Sequence, residues 1–392
     1  MPKKNLAYIN KEMLLWARSE TPFSSSPELL SERFPRFSTE KLKKWESGED
    51  LPSIREAKDL ASIYKLPFAC FYLSAPPEKK PKRYTDRRTN LGTKYGEMSY
   101  ELWAEINRIS NDRDTLLELI QKDAPTNVLP IINTSDDVEK VSTIIQDYFC
   151  LPKSFKYKKE YDGNSFNYFR ELIERKGILV AQISSVSLSE IKALSIYEDQ
   201  YPIIAINSKD YERAKTFSLF HEVAHLFRRS SSLCLLDDDE RDNTEEKICD
   251  QIAAEVLMDR EEFIRVASEV FYKDGEWSIA SLTCLADRFG VSIVSAFRKL
   301  HDVSIITDDQ YENMYREIKN AFDEKINAIE AARKERELRI PYHIKFINSH
   351  GTLWTKTVVA TENIGRISLG EACEIMSIKR KHYNSIVRAV ML

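Results

Sequence analysis

Two histidines four residues apart, at positions 221 and 225, constrain the folding of this chain more than any other feature. In a helix, this spacing places both side chains on one face with about 6 Å between their Cβ atoms, so that two imidazoles reach one tetrahedral zinc ion. Glu222 projects beside them and is able to accept a proton from a zinc-bound water and pass it to a leaving amine. Roughly 0.01 matches to this pattern are expected by chance in a chain of this composition. The sequence therefore predicts a helix over residues 211–229 that carries a zinc site.

A catalytic zinc also needs a third protein ligand and an open coordination position. Glu246 is the candidate, because it lies on the next predicted helix, 244–258, and the acidic loop before it is long enough to let that helix fold back. Asp250, one turn further along, is a rival ligand or an acceptor for a histidine N–H. In the alternative without a metal, both histidines are satisfied core residues, but Glu222 is then buried between them at a high cost in free energy unless it is paired.

The composition is that of a soluble globular protein with two or three domains, because 42% of the 392 residues are hydrophobic and 31% are charged. The net charge is only −4, so any surface that binds nucleic acid must be local. The longest apolar runs, 178–183 and 202–206, are far shorter than the ~18 residues of a membrane helix. The first ten residues lack the apolar core of a secretory signal, and the six cysteines include no CxxC pair. We therefore expect a cytoplasmic protein with reduced thiols and no membrane partner.

The pattern of apolar residues predicts an α+β fold that is predominantly α-helical. A small sheet is expected immediately before the zinc helix, because three segments are rich in β-branched residues. These segments are residues 178–183, 193–197 and 203–206, with Asp199 and Gln200 as a hairpin loop between the last two. Further along, an apolar stripe over 311–329 lies on a long charged helix. That helix packs on its own domain or on a second subunit, which leaves a homodimer open.

The zinc helix and the helix after it resemble the ImmA/IrrE metallopeptidases. Residues 216–225 (TFSLFHEVAH) and 246–258 (EKICDQIAAEVLM) carry the resemblance. Family members pair an HExxH helix with a second helix whose Glu, four residues before an Asn or Asp and ahead of an Ala-Ala…Leu-Met run, is the third zinc ligand. The resemblance implies a zincin-like domain in which Zn2+ is held by His221, His225 and Glu246, with Glu222 as the catalytic acid/base.

Two further positions of the second helix bear on the resemblance. Asp250 matches the Asn/Asp position of the family. Asp259 is a departure, because the family usually has a Pro that ends the helix there. We expect this change to loosen the end of the helix rather than the site.

The N-terminal segment is similar to the phage-repressor (Xre/Cro-like) helix-turn-helix that precedes the peptidase in long family members. Residues 42–48 (LKKWESG), Pro52 and residues 60–64 (LASIY) carry this similarity, and Ser38 is the expected N-cap of the third helix, 39–46. The basic residues on that helix, which together with the basic connector could neutralise phosphates of double-stranded DNA, are Lys41, Lys43 and Lys44. The alternative is a helical bundle that docks on a protein, since a fold does not fix a function.

The resemblance also extends to segments 285–292 and 365–379, which are similar to the helical C-terminal part of the family. It implies four regions along the chain: a helix-turn-helix domain at 1–75, a basic Pro-rich linker at 76–99, a metallopeptidase domain at 100–303, and a helical C-terminal region at 304–392.

These observations together imply a gluzincin-like zinc endopeptidase that cleaves a protein regulator, in this family often a transcriptional repressor. Tyr197, Arg213 and His343 are unranked candidates for stabilising the oxyanion. The acidic stretch 237–242 is expected to be solvated, or else to gate the cleft. One alternative is a DNA-binding regulator whose peptidase-like domain senses a metal or a partner without cleaving it. Another is an antitoxin-like module that sequesters a toxin through the N-terminal bundle.

Overall fold

The computed structural model of the chain describes residues 5–77, 98–120, 129–130, 132, 137–151, 165–229, 232–234, 244–337 and 340–391. They fall into two compact units, Met1–Ser110 and Asn111–Leu392. The expected α+β fold with a predominance of helix is confirmed, since one small sheet is set among 17 described α-helices. The predicted linker lies outside the described residues except at its two ends, and the four predicted regions stay a prediction.

The first unit is a bundle of short helices around an apolar core. Its elements are α1 (Lys11–Ser19), α2 (Pro27–Arg33), α3 (Thr39–Ser47), α4 (Ile54–Ile63), a 3-10 helix (Phe68–Tyr72) and the first half of α5 (Tyr100–Ile120). A buried ion pair crosses this core, in which Arg18 donates to both carboxylate oxygens of Glu46 at 2.7 and 3.1 Å. This unit therefore has its own core and its own buried polar contact.

Local capping explains where these helices begin and end. The Ser38 side chain accepts from the backbone N–H of Lys41 at the start of α3, and Gly48 ends that helix with a left-handed φ of 83°. Ser53 and Glu56 form a capping box at the start of α4. The predicted third helix is thus confirmed. The segment after Pro67 is a 3-10 helix of five residues, and so short a segment favours the tighter i to i+3 bonds.

The second unit contains the sheet and the remaining helices. Before the sheet come the second half of α5, α6 (Val138–Phe149) and α7 (Ser165–Arg175). The strands are β1 (Leu179–Ile183), β2 (Ala193–Ile196), β3 (Ile203–Asn207) and β4 (Ser232–Cys234). The other helices are α8 (Glu212–Phe227), α9 (Thr244–Leu257), α10 (Arg260–Asp274), α11 (Ile279–Phe289), α12 (Ile293–Asp302), α13 (Asp308–Glu337), α14 (Tyr342–His350), α15 (Thr352–Asn363), α16 (Leu369–Ile375) and α17 (Arg380–Met391).

The sheet has the strand order β1-β3-β2-β4. β1 and β3 are parallel, with Leu179 opposite Ile203, whereas β2 is antiparallel to both β3 and β4. Every residue of β1, β2 and β3 is buried, which accounts for continuous apolar runs in place of alternation. The three predicted strands are confirmed, and β4 is an additional one.

Helices from the middle and from the C-terminal part of the second unit pack on this sheet. Helix α8 contacts β2 and β3, and α9 packs on α8 and on α6. Helices α14 and α15 contact β1 from the C-terminal side of the chain. At their junction, the buried Glu174 of α7 accepts from the backbone N–H groups of Thr352 and Leu353 at 2.9 and 3.3 Å, and the buried Arg170 donates to the carbonyl of Ile347 at 2.8 Å. The C-terminal helices are therefore bonded to the sheet domain.

Taken singly, none of the described helices has both the length and the apolar composition of a membrane span; the pair Ile279–Phe289 and Ile293–Asp302, bent by 92°, meets these criteria only when its two helices are counted together.

Candidate metal centre

Helix α8 is the element that holds the two histidines of the HExxH segment. From Leu219 to Phe227 every residue of this helix is buried, because the sheet and helices α7 and α9 surround it. A helix that is buried on all sides has an apolar sequence all round, and the polar residues within it need partners. His221, Glu222 and His225 are those polar residues, with exposed fractions of 7%, 0% and 0%.

Helix α9 brings a carboxylate to the two imidazoles. The Oε2 atom of Glu246 lies 3.1 Å from Nε2 of His221 and 3.3 Å from Nε2 of His225. The two Nε2 atoms are themselves 3.1 Å apart. The three residues that were predicted as ligands are thus brought together from two helices.

This triangle of donor atoms fits a zinc ion. Ligand atoms about 2.0–2.1 Å from a tetrahedral zinc are about 3.3 Å from one another, close to the three distances found here. The donor set, two neutral imidazole nitrogens and one carboxylate oxygen, is the kind that catalytic zinc sites use. The Glu246 side chain keeps 25% of its surface exposed, so the cluster is open on that side.

Asp250 contacts the far side of the first imidazole. Its Oδ1 atom lies 2.8 Å from Nδ1 of His221, and half of its side chain is exposed. With a metal bound, an N–H on Nδ1 that donates to this carboxylate would leave the Nε2 lone pair of His221 to the ion. Of the two roles expected for Asp250, the geometry matches the acceptor for a histidine N–H, because a different nitrogen of His221 faces Glu246.

The electrostatics of Glu246 favour the ionised carboxylate. Burial acts to raise the pKa of this carboxyl, but hydrogen bonds with His221 and His225 outweigh burial and hold the pKa well below its usual range. A carboxylate that stays ionised is the form that ligates a metal.

A comparison with known protein families identifies a match to the part of the chain that contains this cluster. The family model of the IrrE N-terminal-like domain, a peptidase family, matches residues 173–301. This part of the chain is an ImmA/IrrE-type metallopeptidase domain. No curated protein matches the chain. The match to the metallopeptidase domain begins at the end of α7, includes β1 to β3 and helices α8 to α11, and ends in α12; the helix-turn-helix resemblance lies outside it and stays a prediction.

The metallopeptidase domain contains a second group of donor atoms beside the first. His225, Glu245 and Cys249 also lie close enough to hold a metal. Glu245, however, accepts both ends of the Arg228 guanidinium at 2.8 Å, and such a bidentate pair occupies its two oxygens. Burial raises the pKa of the Cys249 thiol, which disfavours the thiolate that a metal requires. The group around Glu246 is therefore the better metal site.

Two of the three oxyanion candidates, Arg213 and Tyr197, contact other groups of the metallopeptidase domain. The Arg213 guanidinium donates to the carbonyl of Val291 at 2.8 Å and pairs with Asp287. The Tyr197 hydroxyl donates to Asp199 at 3.1 Å. His343 lies on α14, beyond the matched segment. The acidic stretch 237–242 lies outside the described residues.

Asp259, the departure from the family, has a role that differs from the expected one. Helix α9 ends at Leu257, and the Asp259 side chain then accepts from the backbone N–H of Glu262 at 3.1 Å as the N-cap of α10. Met258 still donates to the carbonyl of Ala254 at 2.8 Å. The helix end is therefore not loosened, because a capping hydrogen bond fixes the corner where the family has a proline ring.

Two arginines near the cluster were missed by sequence reasoning. Arg228 follows His225 by three residues, and only the fold-back of α9 makes it a partner of Glu245. Burial lowers the pKa of Arg298 on α12, but its hydrogen bond with Tyr311, together with smaller contributions that include Asp250, outweighs burial and leaves the pKa raised. A signal for Arg228 was available, since a basic side chain one turn after the motif faces an acidic predicted helix.

The lysines predicted to contact DNA are each paired with an acidic residue of the first unit. Lys41 Nζ lies 3.4 Å from Glu56, Lys43 Nζ lies 2.7 Å from Glu28, and Lys44 Nζ lies 2.8 Å from Glu40. These exposed pairs are weak, but they reduce the positive charge that α3 presents.

Proposed function

We propose that this chain is a zinc-dependent endopeptidase, of gluzincin type, that cleaves a protein regulator in the cytoplasm. The observation that carries the proposal is the convergence of His221, His225 and Glu246 within hydrogen-bond distance of one another. Zinc bound by these three residues would supply an acidified water and polarise the scissile carbonyl. Proton transfer and the positioning of the ligands are assigned to other side chains of the protein.

Glu222 is the proposed general base and acid. It follows His221 directly on α8, and its carboxylate is shielded from bulk solvent. A carboxylate in this position takes the proton of the attacking water and returns it to the amine that leaves the scissile bond. Asp250 positions His221 through the Nδ1 hydrogen bond, and Arg228 keeps Glu245 away from the cluster.

A protein regulator, with a transcriptional repressor as the expected case, is the substrate class that the family likeness supports. The side chains of Glu246 and Asp250 are 25% and 51% exposed, so a chain segment can approach the cluster from this side. Binding of duplex DNA by the lysines of α3 is not part of this proposal, because each of these lysines is paired with a glutamate.

Metal content tests the site itself. Purified full-length protein is measured by mass spectrometry without chelator, beside His221→Ala and Glu246→Ala and the control variants His301→Ala and Glu261→Ala. We expect about one zinc per chain in the wild type and both controls, and loss of zinc in the two ligand variants. Wild-type protein that takes up no zinc even from excess metal would contradict the proposal.

Peptidase activity is tested with Glu222→Gln, which keeps all three ligands. The probe is a cell lysate in which new protein N termini are labelled and identified after incubation with wild-type or variant protein. We expect termini that appear only with wild type, since loss of the general base slows proton transfer by ~10²–10⁴-fold. Zinc in both proteins with identical termini would favour the alternative of a non-cleaving regulator.

A further inference from the structure

The last three helices contain a helix-turn-helix that the peptidase function does not use. Helix α16 ends at Ile375, α17 begins at Arg380, and four residues connect them. A turn of three or four residues between two short helices is the connection that this motif uses. Helix α15 packs against both, so that the three helices form one small bundle.

The turn has a fixed shape. Ser377 takes a left-handed φ of 51°, a conformation that glycine adopts more readily. Its N–H donates to the carbonyl of Glu374, and the N–H of Ile378 donates to the carbonyl of Cys373, both at 2.9 Å. These two bonds are the Schellman pattern that closes a helix and redirects the chain. The direction of α17 is therefore set by the backbone.

One face of the two helices is anchored in the bundle. The side chains of this face, which are at most 5% exposed, are Ala372, Met376, Tyr383, Ile386 and Val390. The Tyr383 hydroxyl also donates to Glu362 of α15 at 3.1 Å. Because Tyr383, Ile386 and Val390 recur at helical spacing, the opposite face of α17 is directed to solvent.

That outer face is cationic. Arg380, Asn384 and Arg388 follow one another every four residues on it, and all three are exposed. Lys379 and Lys381 are exposed beside them. Between 376 and 391 the sequence contains no Asp or Glu. Within the part of the chain that the structure describes, none of these four Lys and Arg side chains is in an ion pair.

Two other helix pairs of similar shape lack such a face. In the first unit, the lysines of α3 are paired with glutamates, and residues 5–77 carry ten basic and ten acidic side chains. In the pair α11–α12, Gly290 makes the left-handed turn and the helices are bent by 92°, but Lys299 is buried in an ion pair with Glu255. Shape alone therefore does not select a binding face, and charge distinguishes α17.

We propose that α17 is the recognition helix of a C-terminal helix-turn-helix that binds double-stranded DNA. A single helix fits the major groove, which is about 12 Å wide, and its cationic side chains reach the phosphates on either side. Lys379, Lys381 and Arg388 are placed for phosphates, while Arg380 and Asn384 carry the donors that pair with guanine and adenine edges. This site is separate from the metal cluster and does not depend on peptidase activity.

The test compares two triple variants of the full-length chain that remove the same charge. One is Lys379→Ala, Arg380→Ala and Lys381→Ala; the matched control is Lys41→Ala, Lys43→Ala and Lys44→Ala. Binding to a fluorescein-labelled 30-base-pair duplex of random sequence is followed by anisotropy at several salt concentrations. We expect wild type and control to bind alike, and the slope of log K against log salt to fall by about two in the α17 variant, because two of the three removed side chains contact phosphates.

A third variant separates charge from folding. Lys379→Arg, Arg380→Lys and Lys381→Arg keeps every charge on α17 and should keep the wild-type slope, whereas thermal unfolding should be unchanged in all three proteins because the replaced side chains are exposed. Four outcomes would overturn the proposal: no binding of duplex at about 50 mM salt, loss confined to the α3 variant, equal loss in both alanine triples, or tighter binding of a single strand than of the duplex. None of these outcomes bears on the zinc site.

Discussion

At the scale of single residues, two adjacent glutamates have different partners. Glu245 accepts from Nε and Nη2 of Arg228, and Glu246 contacts both histidines. Consecutive residues of a helix point about 100° apart, so α9 can direct only one of the two at the imidazoles. The ion pair to Arg228 fixes which one it is.

Replacing Asp250 by Ala should weaken zinc binding by about 10- to 100-fold, because the acceptor that orients His221 is lost. A competition titration with a chromophoric chelator measures this change. Asp259→Ala is the matched control: loss of the N-cap of α10 should cost about 1 kcal/mol of stability but leave zinc affinity unchanged. Equal affinity loss in both variants would contradict a positioning role for Asp250.

Replacing Cys249 by Ala tests the second donor group. The thiol is buried and its pKa is raised, so we expect it to pack as an apolar side chain and not to ligate metal. The variant should still bind about one zinc per chain by mass spectrometry. A variant that loses its zinc while its thermal unfolding is unchanged would move the metal to the group with Glu245.

At the scale of elements, the junction of α14 and α15 depends on one glycine. Gly351 has φ of 91° and ψ of 150°, a region that is essentially restricted to glycine. A Cβ atom there would lie 2.8 Å from Oε1 of Glu174 and 3.0 Å from the carbonyl of Val180. The junction that joins the C-terminal helices to β1 thus leaves no space for a side chain.

Gly351→Ala should therefore destabilise the protein more than Gly365→Ala does. Gly365 also has a positive φ, of 75°, but a Cβ atom there meets nothing within 4 Å. We expect about 1–2 kcal/mol for the control from backbone strain, and a further ~1–3 kcal/mol at Gly351 from overpacking. Urea unfolding midpoints measure the difference, and equal midpoints would show that the junction relaxes.

The elements that the sequence predicted well are those with local signals. Ser38, Gly48 and Ser53 place helix ends through hydrogen bonds within a few residues, so spacing and capping chemistry suffice. Strand β4 has only three residues and exists through its pairing with β2, a contact that no local pattern encodes. The 3-10 helix after Pro67 has the same apolar spacing as a short α-helix, and the two differ in their hydrogen-bond pattern, i to i+3 in place of i to i+4.

The candidate site likewise contains residues that local spacing predicts and residues whose contacts depend on tertiary packing. The spacing of His221 and His225 on one helix is local, and Glu246 is proposed from its place on the next predicted helix, with the family likeness in agreement. The contacts of Asp250 and Arg228, by contrast, depend on how α9 packs on α8. A sequence leaves that packing open, so it left Asp250 with two roles and Arg228 with none.

At the scale of the whole molecule, we expect the first unit to be removable without unfolding the rest of the chain, and the C-terminal helices not to be. A chain that begins at Met98 removes most of the first unit and leaves the core of the second, so we expect it to fold and to bind about one zinc. A chain that ends at Glu337 removes α14 to α17 and uncovers β1. We expect this second chain to bind a hydrophobic dye and to aggregate.

Circular dichroism, dye fluorescence and zinc content of the two shortened chains measure this difference. A chain ending at Glu337 that stays monomeric, binds zinc and excludes the dye would show that the C-terminal helices are dispensable for the fold. In that case the bonds from Glu174 to Thr352 and Leu353 would contribute little stability.

The contact between α7 and α15 joins two residues that the ribosome makes at widely separated times. Glu174 and Thr352 are 178 residues apart, so at about 5–20 residues per second a ribosome makes the second partner roughly 9 to 36 s after the first. Hairpins and helices form in microseconds, so the sheet is complete long before its cover exists. For that interval β1 lacks the cover of α14 and α15, so we expect its apolar surface to be open to chaperones until these helices pack on it.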